Sequence, residues 1–457
     1  MTSASISSLQ DAGLPVFLPG TPVYDDATSP DNTSVVERPL AVVRPSTALE
    51  VAAAVRAAAV AGLVVAVQAT GHGDGRPMGD ETLLIDSRGL TSVSLDATSR
   101  TATVGAGTVW GDVQKQAFEH GLLGLSGTSA TVGVSGYTFG GGIGWLTRPH
   151  GMASAALRAV TFVDGSGAVR VAADDASEAD DREAIWAFRG GQPVGIATSL
   201  SFDLFEVRSL WAGYLLWPGD TAEAVVSAWA GALIDLPDDV TSTMSLLQLP
   251  PKGPFPPSLL GGVVVHLSLA SPSGGDGAAG LIAAVRAAAA PTLDTTGPSN
   301  VERLVGIHLD PPAGNAARGT GAWLTGAAGS ADEALRILRS ARVGDDDGLL
   351  MIELRHLASS AAPTARAGAM TELPGLFLVH AVGGVPDAAA RATTEAALAE
   401  VDVALSTVGV GRDAVSFRDG ASSAGSAFGA ADAARLRAIA TRLDPSGVFR
   451  FGRPAGS

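Results

Sequence analysis

A single histidine lies in a glycine-rich loop between two short apolar runs, and this arrangement constrains the fold more than any other feature. The runs, residues 64–67 and 82–86, are rich in β-branched and aliphatic residues and predict strands. His72 stands near the centre of the loop. The loop glycines, which allow the backbone to approach a ligand closely, are Gly71, Gly73, Gly75 and Gly79.

The segment before this loop predicts a βαβ unit. Residues 39–44 read as a strand, and Thr47 with Glu50 three residues later forms a capping box that opens a helix. Gly62 ends this helix near residue 61, and the next strand leads into the His72 loop. A glycine loop at the exit of a βαβ unit is a common place for a phosphate-bearing ligand.

A second glycine-rich stretch covers residues 121–151. Its glycines are mixed with β-branched and aromatic residues rather than the Ser and Lys of a flexible linker. We therefore interpret it as backbone that contacts a ligand. The glycines in its central part are at positions 133, 136, 140, 141, 142 and 144.

Composition limits the classes of function. The 457 residues suggest about two or three domains, with 46% hydrophobic and 17% charged residues typical of a globular protein. A net charge of −16 gives no electrostatic basis for binding nucleic acid or an anionic membrane. No apolar run has the length of a membrane helix, and residues 1–15 lack a signal-peptide pattern. With cysteine absent, we expect a cytoplasmic protein without disulfides, and the oligomeric state is not predicted.

The order of patterns predicts four segments. Residues 1–36 are expected to form short turns over the first domain, without chemistry of their own. Residues 37–207 form that domain, with Thr108 capping a helix over 110–120. Residues 208–413 alternate strands and helices, including a helix over 220–236 whose cap Glu223 completes. This alternation indicates a helix-covered sheet, parallel or antiparallel, and residues 414–457 contain an amphipathic helix.

Several common motifs are missing. The glycines at 140–144 lack the dinucleotide spacing and the acidic residue that follows it, and no Gly-Lys-Ser/Thr of a P-loop occurs. Ser135 lies in Gly-Val-Ser-Gly, which lacks the second spacing of a nucleophile elbow. The seven histidines show no pair at metal-ligand spacing, so no metal site is predicted. A packed glycine-rich turn remains the alternative interpretation of the second stretch.

Three segments of the sequence resemble a known protein family. VAVQATGHG, then LLIDSRGL, then TVGVSGYTFGGGIGWLTRPHG resemble the FAD-linked oxidases of the berberine-bridge-enzyme-like group, within the vanillyl-alcohol-oxidase superfamily. The likeness is strong over residues 35–207, weak in the middle, and moderate in LRAIATRLDPSGVFRF near the end. It implies an α+β fold with a two-subdomain FAD-binding domain of the PCMH type. It also implies a substrate domain with a helix-covered antiparallel sheet, and a C-terminal segment that returns to the FAD domain.

The same resemblance implies covalent FAD. The family's loop histidine bonds to the 8α-methyl of the flavin, and His72 is the matching residue. Neutral imidazole is a suitable nucleophile for that carbon, and converging backbone N–H groups suit the pyrophosphate. The residues that we expect to contact the cofactor are Ala69, Thr70, Gly71, His72, Gly73, Met78, Gly127, Thr128, Thr131, Val132, Gly133, Ser135, Gly136, Tyr137, Gly141, Gly142, Gly195, Ile196 and Phe417.

This chain departs from the family pattern at three places. Ser129 stands where many relatives have a cysteine that makes a second flavin link, so we expect a single link through His72. The glycine turn over 189–195 is one residue shorter than the family's turn. The family's late Asn-Phe pair is Ser416-Phe417 here. The shorter turn alters a turn beside the flavin, and the Ser416-Phe417 pair alters an active-site contact.

A base must accept a proton as hydride leaves the substrate. In residues 351–356, strand alternation places Glu353 and Arg355 on one face, so Glu353 is the first candidate base and Arg355 its orienting partner. An interdomain or surface ion pair is the alternative. Tyr137 is a second candidate, with simple packing or a cofactor hydrogen bond as its alternative role, and His380 is a third.

The predicted function is oxidation of a small alcohol or amine, with hydride passing to covalent FAD and dioxygen reoxidising it to give peroxide. A dehydrogenase with another electron acceptor is the second hypothesis. A non-catalytic flavin-fold protein is the third, because the turn over 189–195 and Ser416 depart from the family. The substrate's identity is not predicted.

Overall fold

A computed structural model describes residues 2–73, 77–311, 314–344, 348–359, 366–419 and 427–451. Gly75 of the predicted glycine loop lies outside these ranges. The chain forms an N-terminal unit with two small sheets and a second unit built on one large sheet, which we call the large-sheet unit. Within the described residues of the chain, no helix is both long and apolar enough to cross a membrane.

The first small sheet contains the predicted βαβ unit. Its strands, in the spatial order β1-β2-β4-β3, are β1 (Val16–Phe17), β2 (Ala41–Val43), β3 (Val64–Gln68) and β4 (Thr82–Asp86). Both β2 and β3 run parallel to β4. The surrounding helices are α1 (Thr2–Asp11), α2 (Pro22–Ala27) and α3 (Ala48–Ala61).

The ends of α3 confirm the capping prediction. Thr47 Oγ1 accepts a hydrogen bond from the backbone N–H of Glu50 at 3.2 Å, and Gly62 has a φ of 70° at the C-terminal end. The prediction of only short turns in residues 1–36 is wrong, because α1 is a ten-residue helix. It packs on α3, and its Leu9 is fully buried in the core, which a turn-rich reading of its Ser-rich sequence did not indicate.

The second small sheet is antiparallel, in the order β5-β6-β10-β8-β9. Its strands are β5 (Val93–Asp96), β6 (Thr101–Gly105), β8 (Leu157–Val163), β9 (Val169–Ala173) and β10 (Ile196–Asp203); β7 (Leu122–Leu123) and β11 (Phe205–Glu206) form a separate ribbon. The helices of this region are α4 (Trp110–Phe118), α5 (Val134–Phe139), α6 (Thr147–His150), α7 (Ala153–Ala156) and α8 (Ala179–Phe188). The predicted Thr108 cap of α4 is wrong: Val109 is the N-cap, and the Thr108 hydroxyl bonds to Ser92 instead.

The large sheet is antiparallel, and its spatial order is β15-β12-β14-β13-β18-β19-β17-β20, with β16 also pairing β12. Its strands are β12 (Trp211–Pro218), β13 (Thr241–Gln248), β14 (Val263–Ser271), β15 (Leu293–Asp294), β16 (Gly297–Pro298), β17 (Ala317–Leu324), β18 (Met351–His356), β19 (Phe377–Gly384) and β20 (Gly409–Asp413). The helices here are α9 (Ala222–Ala232), α10 (Ala279–Ala288), α11 (Val301–Leu304), α12 (Ala331–Ser340) and α13 (Ala388–Leu405). The Glu223 cap is wrong, because the Glu223 carboxylate pairs with Arg339.

The two faces of the large sheet have different partners. One face packs under α9, α10, α12 and α13 through apolar side chains such as Met244, Leu267 and Leu354. The other face meets the N-terminal unit, where Trp323 and Leu378 join the core around β8 and β10. Antiparallel sheets with a helix layer confirm the predicted α+β class.

The last described helix, α14 (Ala430–Leu443), packs on α8 of the N-terminal unit. Arg435 lies over the ring of Trp186, with 3.8 Å from the guanidinium carbon to the ring centroid, and pairs with Glu183. Beyond α14, backbone hydrogen bonds join Val65 of β3 to Val448 and Arg450. The C-terminal segment thus lies against the unit that contains His72, while the predicted domain boundaries stay a prediction.

Candidate functional site

The two predicted glycine stretches meet in the N-terminal unit. The backbone N–H of Val134 donates to the backbone carbonyl of Thr108 at 2.9 Å. This hydrogen bond holds the second stretch at the start of α4. A Cβ added to Gly133 would lie 3.2 Å from Ala69 Cβ and 3.7 Å from Thr70 Oγ1. The sequence predicted both stretches separately, and the fold places them side by side.

His72 faces the second stretch across this junction. Its Nε2 lies 2.8 Å from Thr131 Oγ1, and Thr131 Oγ1 is 3.2 Å from Ser129 Oγ. The same Nε2 lies 2.9 Å from a carboxylate oxygen of Asp31. About one third of the imidazole is exposed, so the ring borders open space rather than a packed core.

Asp31 is a site residue that sequence reasoning missed. It belongs to the segment over 1–36, for which no chemistry was predicted, and the polar sequence around it carries no motif. Its backbone N–H donates to the Thr70 carbonyl at 2.9 Å, and that of Asn32 donates to the Gly71 carbonyl at 2.9 Å. The N-terminal extension therefore fixes the histidine loop from outside.

Tyr137 forms the floor of the second stretch. Its ring packs edge-on against Trp110, with 5.7 Å between centroids, and a Cβ on Gly142 would come within 2.6 Å of it. The hydroxyl is buried and has no hydrogen-bond partner among the described residues. Burial raises the pKa of the Tyr137 phenol, and the nearby Arg355 opposes this only in part. The Tyr137 hydroxyl is therefore neutral and can donate or accept a hydrogen bond that no described residue supplies.

Backbone conformation supports a close ligand approach here. Gly141 and Gly142 have φ values of 102° and 74°, which L side chains rarely adopt. A Cβ on Gly127 would lie 3.0 Å from the Tyr137 ring. FAD is a large, flat, partly apolar cofactor with a pyrophosphate. Backbone N–H groups can bind the pyrophosphate, glycines leave room for the ring, and the Tyr137 hydroxyl can bond to it, so the residues fit FAD.

The other predicted cofactor residues lie around this junction in different ways. Ser135 donates to the Ala106 carbonyl at 2.7 Å, so its hydroxyl already has a protein partner. Gly195 packs against the Phe162 ring and Ile196 is fully buried in the core of the first sheet, which leaves their backbone as the available contact. Gly136 has open space at its Cβ position. Residues at the border, half-buried or exposed, are Gly73, Met78, Thr128 and Val132.

The face of the large sheet that meets the N-terminal unit is polar at its centre. Cross-strand pairs align His266 with Ser245, Ser245 with Glu353, and Glu353 with His380. Directly paired residues in an antiparallel sheet point to the same side, so these four side chains form one row across four strands, which we call the polar row. The alternation that placed Glu353 and Arg355 on one face is part of this arrangement.

Glu353 is fully buried, and described partners contact both of its oxygens. Arg355 donates from Nε to Oε1 at 2.7 Å, and His308 Nε2 lies 2.9 Å from Oε2. His308 Nδ1 lies 2.8 Å from Asp310. His380 Nδ1 is 3.4 Å from Oε1 without an aligned hydrogen bond. The result is a cluster of two carboxylates and two cations, buried except at Asp310, and sequence reasoning had placed neither His308 nor Asp310 in it.

Electrostatics fix the charges of this cluster. Burial opposes a charge on His308, but Asp310 and Glu353 outweigh it and raise the His308 pKa to about 10. Burial likewise opposes the charge on Glu353, yet Arg355 and His308 hold its pKa well below the usual range. Glu353 is therefore ionised and His308 protonated at neutral pH.

Several buried polar atoms near the polar row have no described partner. They include Ser245 Oγ, Ser268 Oγ and His266 Nδ1. Burial, with the charge on His308, lowers the His266 pKa to about 3, so this imidazole is neutral. Buried polar groups are normally hydrogen-bonded, and these unpartnered atoms suit a ligand that carries donors and acceptors.

The C-terminal end of the large-sheet unit joins the polar row to the glycine stretch. The Phe417 ring lies 4.8 Å from the Arg355 guanidinium carbon and 5.3 Å from the His380 ring. Ser416 Oγ donates to the Gly140 carbonyl at 3.1 Å. Phe417 thus stands between the polar row and the predicted cofactor stretch.

The shortened turn over 189–195 serves packing. Arg189 is fully buried and makes a bidentate pair with Asp174, with both N···O distances 2.7 Å. In the same turn, Gln192 has a φ of 81° and a buried Nε2 without a described partner. The backbone N–H of Gln192 donates to the Phe139 carbonyl, so Gln192 lies beside the end of α5.

Comparisons with known proteins agree with this geometry. Residues 39–173 match the family model of an FAD binding domain. (R)-6-hydroxynicotine oxidase of Paenarthrobacter nicotinovorans is 30% identical over 237 residues, which are 50% of this chain and 51% of that protein. The chain thus matches about half the length of this relative.

Two solved structures share the whole fold. BBE-like 1 of Physcomitrella patens superposes with a TM-score of 0.82 at 19% identity, over 99% of this chain and 98% of that one. 6-Hydroxy-D-nicotine oxidase of Arthrobacter nicotinovorans gives a TM-score of 0.80 at 21% identity, over 96% of each chain. At these identities the likeness shows the fold, and it confirms the predicted PCMH-type architecture.

Proposed function

We propose that the chain is an FAD-linked oxidase of the berberine-bridge-enzyme-like group and that it oxidises a small organic alcohol or amine. The observation that supports this proposal is that Phe417 contacts His380 of the polar row while the neighbouring Ser416 donates a hydrogen bond to Gly140 of the glycine stretch. A substrate between them would have polar partners on one side and the flavin on the other.

FAD is proposed to bind at the junction of the two glycine stretches, with one covalent link through His72. Ser129 and Thr131 next to it offer only hydroxyls, and the chain has no cysteine for a second link. When bound, the flavin accepts hydride from the substrate and is reoxidised by dioxygen to give hydrogen peroxide. The name of the curated relative, an oxidase, supports this choice of oxidant.

Glu353 and His380 together are proposed to accept the substrate proton. Glu353 alone is a weak base because its pKa is low. Since its carboxylate stays ionised, it can stabilise a protonated imidazole next to it. His380 is partly exposed and adjacent to Glu353, so it can receive the proton while Arg355 and His308 hold the carboxylate. Tyr137 is then a neutral group that orients a bound molecule.

The first test concerns the cofactor. Purified protein is expected to be yellow, with flavin fluorescence that stays on the chain in a denaturing gel, and His72→Ala should leave any flavin acid-releasable. A colourless protein would contradict the proposed function, and a covalent flavin in His72→Ala would contradict the attachment site. Slow reaction of the reduced protein with dioxygen in rapid mixing would favour the dehydrogenase. Cell fractionation tests the cytoplasmic location.

The second test concerns the proton acceptor. Once a substrate is found by screening alcohols and amines, His380→Asn should slow anaerobic flavin reduction by about 100-fold near neutral pH. It should also weaken the rise of the rate with pH. Tyr137→Phe is the matched control, because it removes a neutral hydroxyl, and its pH profile should keep the wild-type shape. Equal profiles for His380→Asn and wild type would contradict the assignment.

A further inference from the structure

The carboxylate of Asp31 is held beside His72 by a rigid backbone arrangement. Two hydrogen bonds of 2.9 Å join residues 31 and 32 to the carbonyls of Thr70 and Gly71. Gly71 has a φ of 69°, and a Cβ there would collide with Pro30. Because these hydrogen bonds join the two segments, the backbone places Asp31 next to the loop that carries His72.

The contact also selects one nitrogen of the imidazole. Among the described residues, both Asp31 and Thr131 approach Nε2, at 2.9 and 2.8 Å. An ionised carboxylate only accepts hydrogen bonds, so Nε2 carries the proton that it receives. In the neutral ring the lone pair then lies on Nδ1. Asp31 therefore defines which nitrogen of His72 is the nucleophile.

We propose that Asp31 is the positioning residue for covalent attachment of FAD to His72, fixing the tautomer and accepting the imidazole proton as the bond forms. This rests on the covalent link of the proposed function. An imidazole that bonds through Nδ1 while Nε2 is protonated becomes a cation, and a carboxylate at 2.9 Å stabilises that charge.

The step balances with one molecule of dioxygen. The C–H bond of the flavin 8α-methyl would break with its proton released to solvent, the Nε2–H bond of His72 would break, and a bond would form between Nδ1 and the 8α carbon. Asp31 passes the Nε2 proton to solvent. The two electrons released reduce the flavin ring and then dioxygen, which takes up two protons to give hydrogen peroxide.

If Asp31 had a purely structural role, removing its charge would lower the melting temperature or the non-covalent affinity for FAD. The proposed role predicts that neither changes. The Asp31 and His72 side chains are each about one third exposed, and polar contacts this close to solvent contribute little to the free energy of unfolding. Removing the charge at residue 31 should therefore leave the melting temperature and the non-covalent affinity for FAD close to wild type. Only the rate of covalent attachment should change.

The experiment compares full-length wild type with Asp31→Asn, Asp31→Glu and His72→Ala, each produced under riboflavin limitation and then incubated with FAD in air. Intact mass under denaturing conditions and in-gel fluorescence measure covalent FAD over time at pH 6 to 9. Asp25→Asn is the matched control, since it removes an exposed carboxylate from the same extension. Thr131→Val removes the other Nε2 contact without removing a proton acceptor.

We expect Asp31→Asn to bind FAD but attach it at least about tenfold more slowly near neutral pH, with recovery as hydroxide replaces the carboxylate at high pH. Asp31→Glu should recover part of the rate, Thr131→Val should lose less than Asp31→Asn, and Asp25→Asn should match wild type. A wild-type rate in Asp31→Asn, or loss of non-covalent FAD together with attachment, overturns the role of Asp31. Absence of covalent FAD from wild type overturns the proposed link at His72 itself, and the role of Asp31 with it.

Discussion

The buried cluster around Glu353 predicts a specific pH dependence of stability. His308 lies between Glu353 and Asp310, at 2.9 and 2.8 Å, and only 7% of its side chain is exposed. Replacing it with Gln keeps a side chain that can donate a hydrogen bond but removes the charge. The variant His308→Gln therefore isolates the contribution of the protonated imidazole.

The magnitude follows from the pKa. The folded-state pKa of His308 is about 10 and its ordinary value is 6.5. At about 1.4 kcal/mol per pH unit, this interval corresponds to roughly 5 kcal/mol of unfolding free energy. Because the folded pKa is raised, the contribution is complete below pH 6.5 and is lost as the pH rises towards 10. Solvent contact at Asp310, about one third exposed, reduces the expected loss to about 3–5 kcal/mol near pH 7.

Urea unfolding of wild type and His308→Gln at half-unit steps from pH 6 to 10 tests this reasoning. The difference in unfolding free energy should be largest at the acidic end and should shrink steadily towards pH 10. His120→Gln is the control, because His120 is exposed and its replacement should change the unfolding free energy little. A constant difference between wild type and His308→Gln across this range would refute the assigned protonation state.

Two further substitutions test how the units and the cofactor cradle are held together. Arg148→Lys should lower the unfolding free energy by about 2–4 kcal/mol in urea titrations, because buried Arg148 donates to four carbonyls, those of residues 236, 237, 240 and 358, which a lysine cannot reach together. Gly142→Ala should lower the ratio of bound flavin to protein, measured by absorbance, because its Cβ would lie 2.6 Å from the Tyr137 ring at a φ of 74°.

Matched controls accompany both substitutions. Arg100→Lys changes an exposed arginine paired with Glu206 and should lower the unfolding free energy by less than about 1 kcal/mol. An equally small decrease for Arg148→Lys would contradict the stabilising role of the buried Arg148 hydrogen bonds. Gly231→Ala adds a methyl group that would have no described heavy atom within 4 Å apart from the backbone of its own helix, and it should leave the flavin content unchanged. Full flavin occupancy in Gly142→Ala would show that the cradle tolerates the added group.

One missed strand shows why part of the site was hidden from the sequence. β13 reads Thr-Ser-Thr-Met-Ser-Leu-Leu-Gln, and it was not predicted, nor were β17 and β20. Its polar side chains, such as Thr243 and Ser245, point towards the N-terminal unit and are buried. Strand prediction assumes that polar side chains face water, so a strand that buries hydroxyls beside a ligand site carries no readable alternation.

The residues of the site differ in how far local patterns could reveal them. Glu353 and Arg355 share a face because strand alternation is a property of neighbouring residues. His308 and Asp31 carry no such pattern. Each becomes part of the site only through a partner far along the chain, His308 through Glu353 and Asp31 through His72.

The sequence alone determined the βαβ unit with its Thr47 cap, the two glycine stretches, and His72 as the residue between them, because turns, caps and periodicity depend on a few adjacent residues. Only the tertiary structure decided that the stretches meet, that Asp31 contacts His72, and that His308 neutralises Glu353. These contacts depend on strand order and on how the two units pack. Such long-range packing brings together side chains whose spacing in the sequence carries no signal.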